Sequence, residues 1–205
     1  MPERALRVAL TGGIGTGKSE ALKAFGRAGA ATISLDAVAH ELSRKGKPVY
    51  RAILKAFGRG FLGRAGEIDR KALGKIVFAR PRLRRRLEAA SHPPILREMR
   101  RRLKRVARPV VVVDVPLLYE RGLQREFDVS VVVTAPRRAQ LGRVMRRDGV
   151  GRAEVLSRLR AQLPMTHKER KADVVIRNHG GLRELRRAVG EYQNAFNLIA
   201  RSTWR

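Results

Sequence analysis

Residues 8–26 read VALTGGIGTGKSEALKAFG: an apolar run breaks into glycines, then Lys18 and Ser19, then an Ala-rich segment of helical character. A strand that hands over to a helix through so much backbone freedom needs conformations closed to residues with a Cβ. Gly12, Gly17, Lys18 and Ser19 stand at the spacing of glycine, four residues, then Gly-Lys-Ser, which is that of a phosphate-binding loop, or P-loop. Backbone N–H groups of Gly12, Gly13, Ile14, Gly15, Thr16 and Gly17 can then turn into one concavity. The following helix adds the partial positive charge of its N-terminus. In that setting Lys18 reaches the β- and γ-phosphates of a nucleotide and the Ser19 hydroxyl ligates Mg²⁺. The sequence therefore predicts an anion cradle between the first strand and the first helix.

The rest of the chain keeps up the alternation. Residues 5–11 form a predicted buried strand, and Lys18 to about Arg27 a helix. AATISLD (30–36) reads as a second short strand ending in a carboxylate. RPVVVVDVPLLYE (108–120) and FDVSVVVTAP (127–136) carry β-branched runs bounded by proline, the mark of strands buried on both faces. An Arg-studded helical stretch (137–170), a last strand (171–178) and a closing helix (181–200) complete the chain. The pattern implies an α/β fold, a parallel sheet flanked by helices. From Ala37 to about Lys104 the character is mainly helical, which reads as an insertion into that fold. A single domain is predicted, with core segments of about 1–36, 105–142 and 171–205 around an insertion of about 37–104.

Composition excludes several classes. There are no cysteines, so disulfides, thiolate metal sites and cysteine nucleophiles are ruled out, and a cytoplasmic location is expected. No apolar run approaches 18 residues, so no membrane helix is expected. The first strand follows within a few residues of Met1, so no signal peptide is expected. The formal charge is +28, and 36 of the 46 basic residues are arginine. These residues are spread along the whole chain rather than gathered in a tail. We read them mainly as a solvated basic surface, with nonspecific, salt-sensitive nucleic-acid binding as its expected by-product. A ribonucleoprotein segment and zinc-finger spacing are both lacking, and aromatics are only 5% of residues, so no specific nucleic-acid partner is predicted.

VVVVD ends at Asp114, where a carboxylate can stand near Mg²⁺; an aspartate serving only the turn is the alternative. No guanine-reading Asn-Lys-x-Asp segment is present, which argues against a GTPase. Short length, a helical insertion and the Arg-rich stretch after the fourth strand suggest a small-molecule kinase. A P-loop used for regulation in a nucleic-acid-binding protein is the reading from another class.

Seven segments in this order carry a closer likeness: LTGGIGTGKS (10–19), GEIDRKALGKIVF (66–78), HPPI (92–95), DVPLLYE (114–120), RVMRRDG (143–149), RLRAQLP (158–164) and ADVVIRN (172–178). With them the chain resembles the dephospho-coenzyme A kinase family from end to end. The resemblance implies transfer of the γ-phosphoryl group of ATP, with Mg²⁺, to the ribose 3′-hydroxyl of dephospho-coenzyme A. It implies that Gly12 to Ser19 hold the ATP phosphates and that a lid runs over about 143–170. Arg147 matches the lid arginine expected to reach the phosphates, with Arg143 a second candidate. Asn178 falls in the adenine-side loop by similarity, though it could equally cap the closing helix. The insertion would bind the acceptor. His92 belongs to the same likeness, with a helix-start or packing role as its alternative.

One departure stands out. The family commonly has Asp-x-Asp at the end of the second strand, the first Asp being the usual candidate base. Here the segment is ISLDAVAHE, with Ser34 in that place and Asp36 two residues on. A serine cannot take the ribose proton as a carboxylate does. Asp36 or Asp114 could supply the carboxylate, while Asp36 could instead cap the helix that follows. Lys18, Asp36, Asp114 and Arg147 are thus the expected catalytic set.

Overall fold

In the computed structural model, residues 4–203 are described, apart from the side chains of Phe78, Ala79 and Thr203. The outer ends of the expected core, residues 1–3 and 204–205, lie outside the described residues. The chain divides into two units, one running up to Ile33 and resuming at Val106, the other Ser34–Arg105.

The first unit is built on β1 (Leu6–Gly12), β2 (Ala31–Ser34), β3 (Val110–Asp114), β4 (Val129–Thr134) and β5 (Val174–Arg177). The strand order is β2-β3-β1-β4-β5. β1 pairs in parallel with β3 on one side and β4 on the other, with Val8 opposite both Val112 and Val129. β4 pairs in parallel with β5. Every residue of β3 is buried, which explains its unbroken valine run: a central parallel strand is covered on both faces. The chain leaves β1 toward β2 on one side and leaves β4 toward β5 on the other, so the carboxyl ends of β1 and β4 form the crevice where such sheets bind ligands.

Helices α1 (Lys18–Arg27) and α9 (Leu182–Thr203) bury their apolar stripes on one sheet face. Phe25 stacks on Phe196 with centroids 6.1 Å apart, among Val8, Leu10, Val131 and Val133. Burying a phenylalanine of this kind is worth about 2–3 kcal/mol. This cluster fixes where α1 starts, and so where the glycine loop sits. Between β4 and β5 the chain forms α6 (Arg137–Asp148), α7 (Arg152–Arg160) and α8 (Met165–Lys171).

The second unit holds α2 (Leu35–Leu42), α3 (Pro48–Phe57), α4 (Arg70–Ala79) and α5 (Pro81–Leu103). The first three pack on α5, with Met99 and Leu103 fully or nearly buried in it. Arg102 ties α5 to α2 by reaching Glu98 at 2.8 Å and Glu41 at 2.6 Å. α5 continues past Pro93 and Pro94, so His92 lies inside a helix and not at its start.

The second strand corrects an expectation. It ends at Ser34, two residues early, and Asp36 lies in the first turn of α2. The Ser34 hydroxyl accepts the Ala37 N–H at 3.3 Å. A serine in extended conformation satisfies one of the donors that the helix start leaves open, which ends the strand there. The cap considered for Asp36 is therefore made by Ser34.

Candidate active site

The loop leaves β1 at Gly12 and enters α1 through Gly17. A Cβ on Gly12 would lie 2.6 Å from the Val133 carbonyl oxygen, so only glycine lets the loop pass so close to β4. Gly17 is the N-cap of α1 in the left-handed region, φ 96°, and makes no side-chain cap. Lys18 and Ser19 then occupy the first two helical positions, where backbone N–H groups have no intrahelical acceptor. Those donors and the helix dipole face the same way.

Other elements brace the loop. The Thr16 hydroxyl donates to the Gly13 carbonyl at 2.9 Å, closing the turn from within. The buried Asn178, just beyond β5, donates its amide to the Thr16 carbonyl at 2.8 Å. Its own N–H donates to the Thr134 carbonyl at 2.8 Å. Asn178 lies four positions before Leu182, the first residue of α9, so it does not cap that helix. The structure makes it a strut for the loop.

Lys18 and Asp114 meet as an ion pair, both largely buried. Asp114 is the last residue of β3, beside Leu10 of β1, so sheet register delivers the carboxylate to the loop. Ser19 is exposed. These groups suit Mg²⁺: a hydroxyl and a carboxylate supply hard oxygen ligands, and this cation takes few protein ligands beside substrate phosphates. Among the described residues no group of three or more His, Cys, Asp or Glu forms an all-protein metal cage.

The two arginines expected of a lid part company. Arg143 of α6 donates to the carbonyls of Gly15 and Thr16 at 3.3 and 3.4 Å. Arg147, the stronger expectation, is exposed and held by Asp148 through Nε at 2.7 Å. It lies one turn further along α6, and the adjacent carboxylate captures its guanidinium. That pair holds the Asp148 carboxyl below its usual range, with Arg158, 2.7 Å away, adding to the effect. Asp36 is exposed on α2.

Two residues without an expected role also border the loop. Gln162, between α7 and α8, accepts the Ile14 N–H at 3.1 Å through its side-chain oxygen. Gln140 of α6 is buried beside Gly13 and donates to the Ala135 carbonyl at 2.7 Å. RLRAQLP contains Gln162, but an amide carries no charge pattern or spacing that marks it as part of a site.

The arrangement can hold a polyphosphate against backbone N–H groups, with a lysine and a carboxylate at one end. A family model described as dephospho-CoA kinase matches residues 6–184. The chain belongs to the dephospho-CoA kinase family. It is 46% identical over 176 residues to the dephospho-CoA kinase of Anaeromyxobacter dehalogenans, covering 84% of this chain and 83% of that one. It is 46% identical over 187 residues to the dephospho-CoA kinase of Geobacter metallireducens, covering 90% and 93%. A crystal structure from Thermus thermophilus aligns with a TM-score of 0.82 at 33% identity, over 94% of this chain and 98% of the other. The shikimate kinase of Bacteroides thetaiotaomicron, at 17% identity and a TM-score of 0.53, shares the fold, covering 93% and 97%. This family member is an ATP-dependent kinase on a P-loop fold.

Proposed function

We propose that the protein transfers the γ-phosphoryl group of ATP to the 3′-hydroxyl of dephospho-coenzyme A, the last step of coenzyme A synthesis. The observation that supports it most strongly is the Gly12–Ser19 loop with Lys18 and Asp114 converging at its end, within a chain of this family. Residues 12–19 would cradle the ATP phosphates. Ser19 and Asp114 would hold Mg²⁺, which when bound neutralises phosphate charge. Lys18 would leave Asp114 for the phosphates. Arg143 stands at the loop to stabilise charge on the transferring group, and Arg147 would join it on release from Asp148.

The Ser34–Arg105 unit is proposed to bind the acceptor, and residues 143–170 to form the lid. With Ser34 committed to capping α2, Asp36 and Asp114 are the candidates to receive the ribose proton. Phosphoryl transfer through a loose transition state depends chiefly on positioning and electrostatics, so a serine in the usual base position is compatible with activity. A cytoplasmic location accords with the cysteine-free composition. An acceptor screen with ATP and Mg²⁺, comparing dephospho-coenzyme A with simple nucleosides, tests the assignment. Preference for a simple nucleoside would overturn it.

A further inference from the structure

Gln162 accepts a hydrogen bond from the backbone N–H of Ile14, in the middle of the phosphate cradle. An N–H can be met only by the carbonyl end of the amide, so its orientation is fixed by this contact. The contact places a neutral oxygen on a donor of the kind that P-loops turn toward phosphate oxygens. Gln162 sits in the link between α7 and α8, 148 residues along the chain from Ile14.

A second observation lies next to it. The Gln140 side-chain oxygen is buried and has no hydrogen-bond partner. Such an orphan acceptor is costly and uncommon in a folded protein. Built onto Gly13, a Cβ would lie 3.4 Å from this oxygen and 3.5 Å from that of Gln162, so the two amides flank the same point. A cavity of about 350 Å³, lined by Gly13, Gln140, Gln162, Leu163 and Met165 among others, adjoins both. There is room for Gln162 to turn, and a waiting acceptor for its NH₂.

We infer that Gln162 is an internal stand-in for phosphate, which holds the lid link on the loop until the nucleotide displaces it. A phosphate oxygen takes the Ile14 N–H; the Gln162 amide turns into the cavity and donates to Gln140. Nucleotide binding thereby frees the α7–α8 link from the loop. This rests on the kinase reading above, because the competitor is taken to be the ATP phosphate chain.

The test uses full-length protein without acceptor, with two readouts. Amide hydrogen exchange over residues 150–171 is followed in the free protein and with ATP and Mg²⁺, and the ATP dissociation constant is measured by calorimetry. In Gln162→Ala, exchange of the free protein should rise to the level that the parent protein reaches only with ATP. Its ATP affinity should tighten about two- to tenfold, the worth of one hydrogen bond no longer in competition. Gln162→Glu keeps the acceptor but sets a negative charge against the incoming phosphates, so ATP binding should weaken. The inference requires all three results. Unchanged exchange in free Gln162→Ala overturns it whether or not ATP binds. Weaker ATP binding by Gln162→Ala also overturns it, because Gln162 would then be a direct ligand. Failure of the parent protein to bind ATP would overturn the kinase reading and the identity of the competitor, while the exchange result would still report on the latch.

Discussion

Lys18 and Asp114, 96 residues apart in sequence, form an ion pair at the carboxyl end of the sheet. Each thus holds the other in place, although their proposed partners differ: phosphate for Lys18, the metal for Asp114. Asp114→Asn should lower turnover by about a hundredfold and raise the Mg²⁺ concentration needed for half-maximal rate. Initial rates across a Mg²⁺ titration read both effects. A wild-type Mg²⁺ response in this variant would remove Asp114 from the metal site.

Gly17 tests the loop itself. An alanine there would sit at φ 96°, with its Cβ 2.3 Å from the Asn178 amide nitrogen. The backbone conformation alone costs about 1–2 kcal/mol. Gly17→Ala should lower the melting temperature and weaken ATP binding. Adding Asn178→Ala should recover part of the stability, because it removes the clash but not the strain. No recovery would mean that the backbone term dominates.

The loop was legible because its determinants are local: glycine spacing, a buried run before it and an apolar stripe after it. The same holds for β3, whose valines announce burial on both faces. Asp36 was placed at a strand end because hydropathy does not register that Ser34 stops the strand by capping α2. The likeness ranks Arg147 ahead of Arg143, yet the structure sets Arg143 against the loop and leaves Arg147 with Asp148, a capture that motif matching does not register. Gln162 and Gln140 were illegible for another reason. Their importance comes from long-range placement beside Ile14 and Gly13, which no local pattern encodes.

Lys168 of α8 has a fully buried side chain, with its Nζ 2.7 Å from Glu120 Oε1. Removing one member of a buried pair strands the other's charge, at a cost of about 3–5 kcal/mol. Lys168→Met and Glu120→Leu should each destabilise on that scale in urea unfolding. The double variant should lose much less than the sum. Additive losses would show that the two residues do not act as a pair.

Glu98 gives the helical unit an acid-sensitive contact. Its hydrogen bond with Arg101, reinforced by Arg102, lowers its carboxyl pKa from 4.5 to about 2. A depressed carboxyl stabilises the fold above its unfolded value, and that contribution fades as pH falls from 4.5 toward about 2. Glu98→Gln should therefore show a shallower loss of stability across this window than the parent protein. Parallel curves of unfolding midpoint against pH would dismiss the contact as a source of acid sensitivity.

The most direct measurement follows a radiolabelled γ-phosphate from ATP into dephospho-coenzyme A, and locates it on the product by mass spectrometry, for the parent protein and Lys18→Ala. Lys18 lines the cradle, largely buried against Asp114 but outside the hydrophobic core. The account predicts label on the ribose 3′-hydroxyl with the parent protein. It predicts a rate at least about a hundredfold lower with Lys18→Ala, with the protein still folded but at a lower melting temperature, because the buried Asp114 loses its partner. Label appearing elsewhere on the acceptor, or transfer by Lys18→Ala at the parent rate, would contradict it.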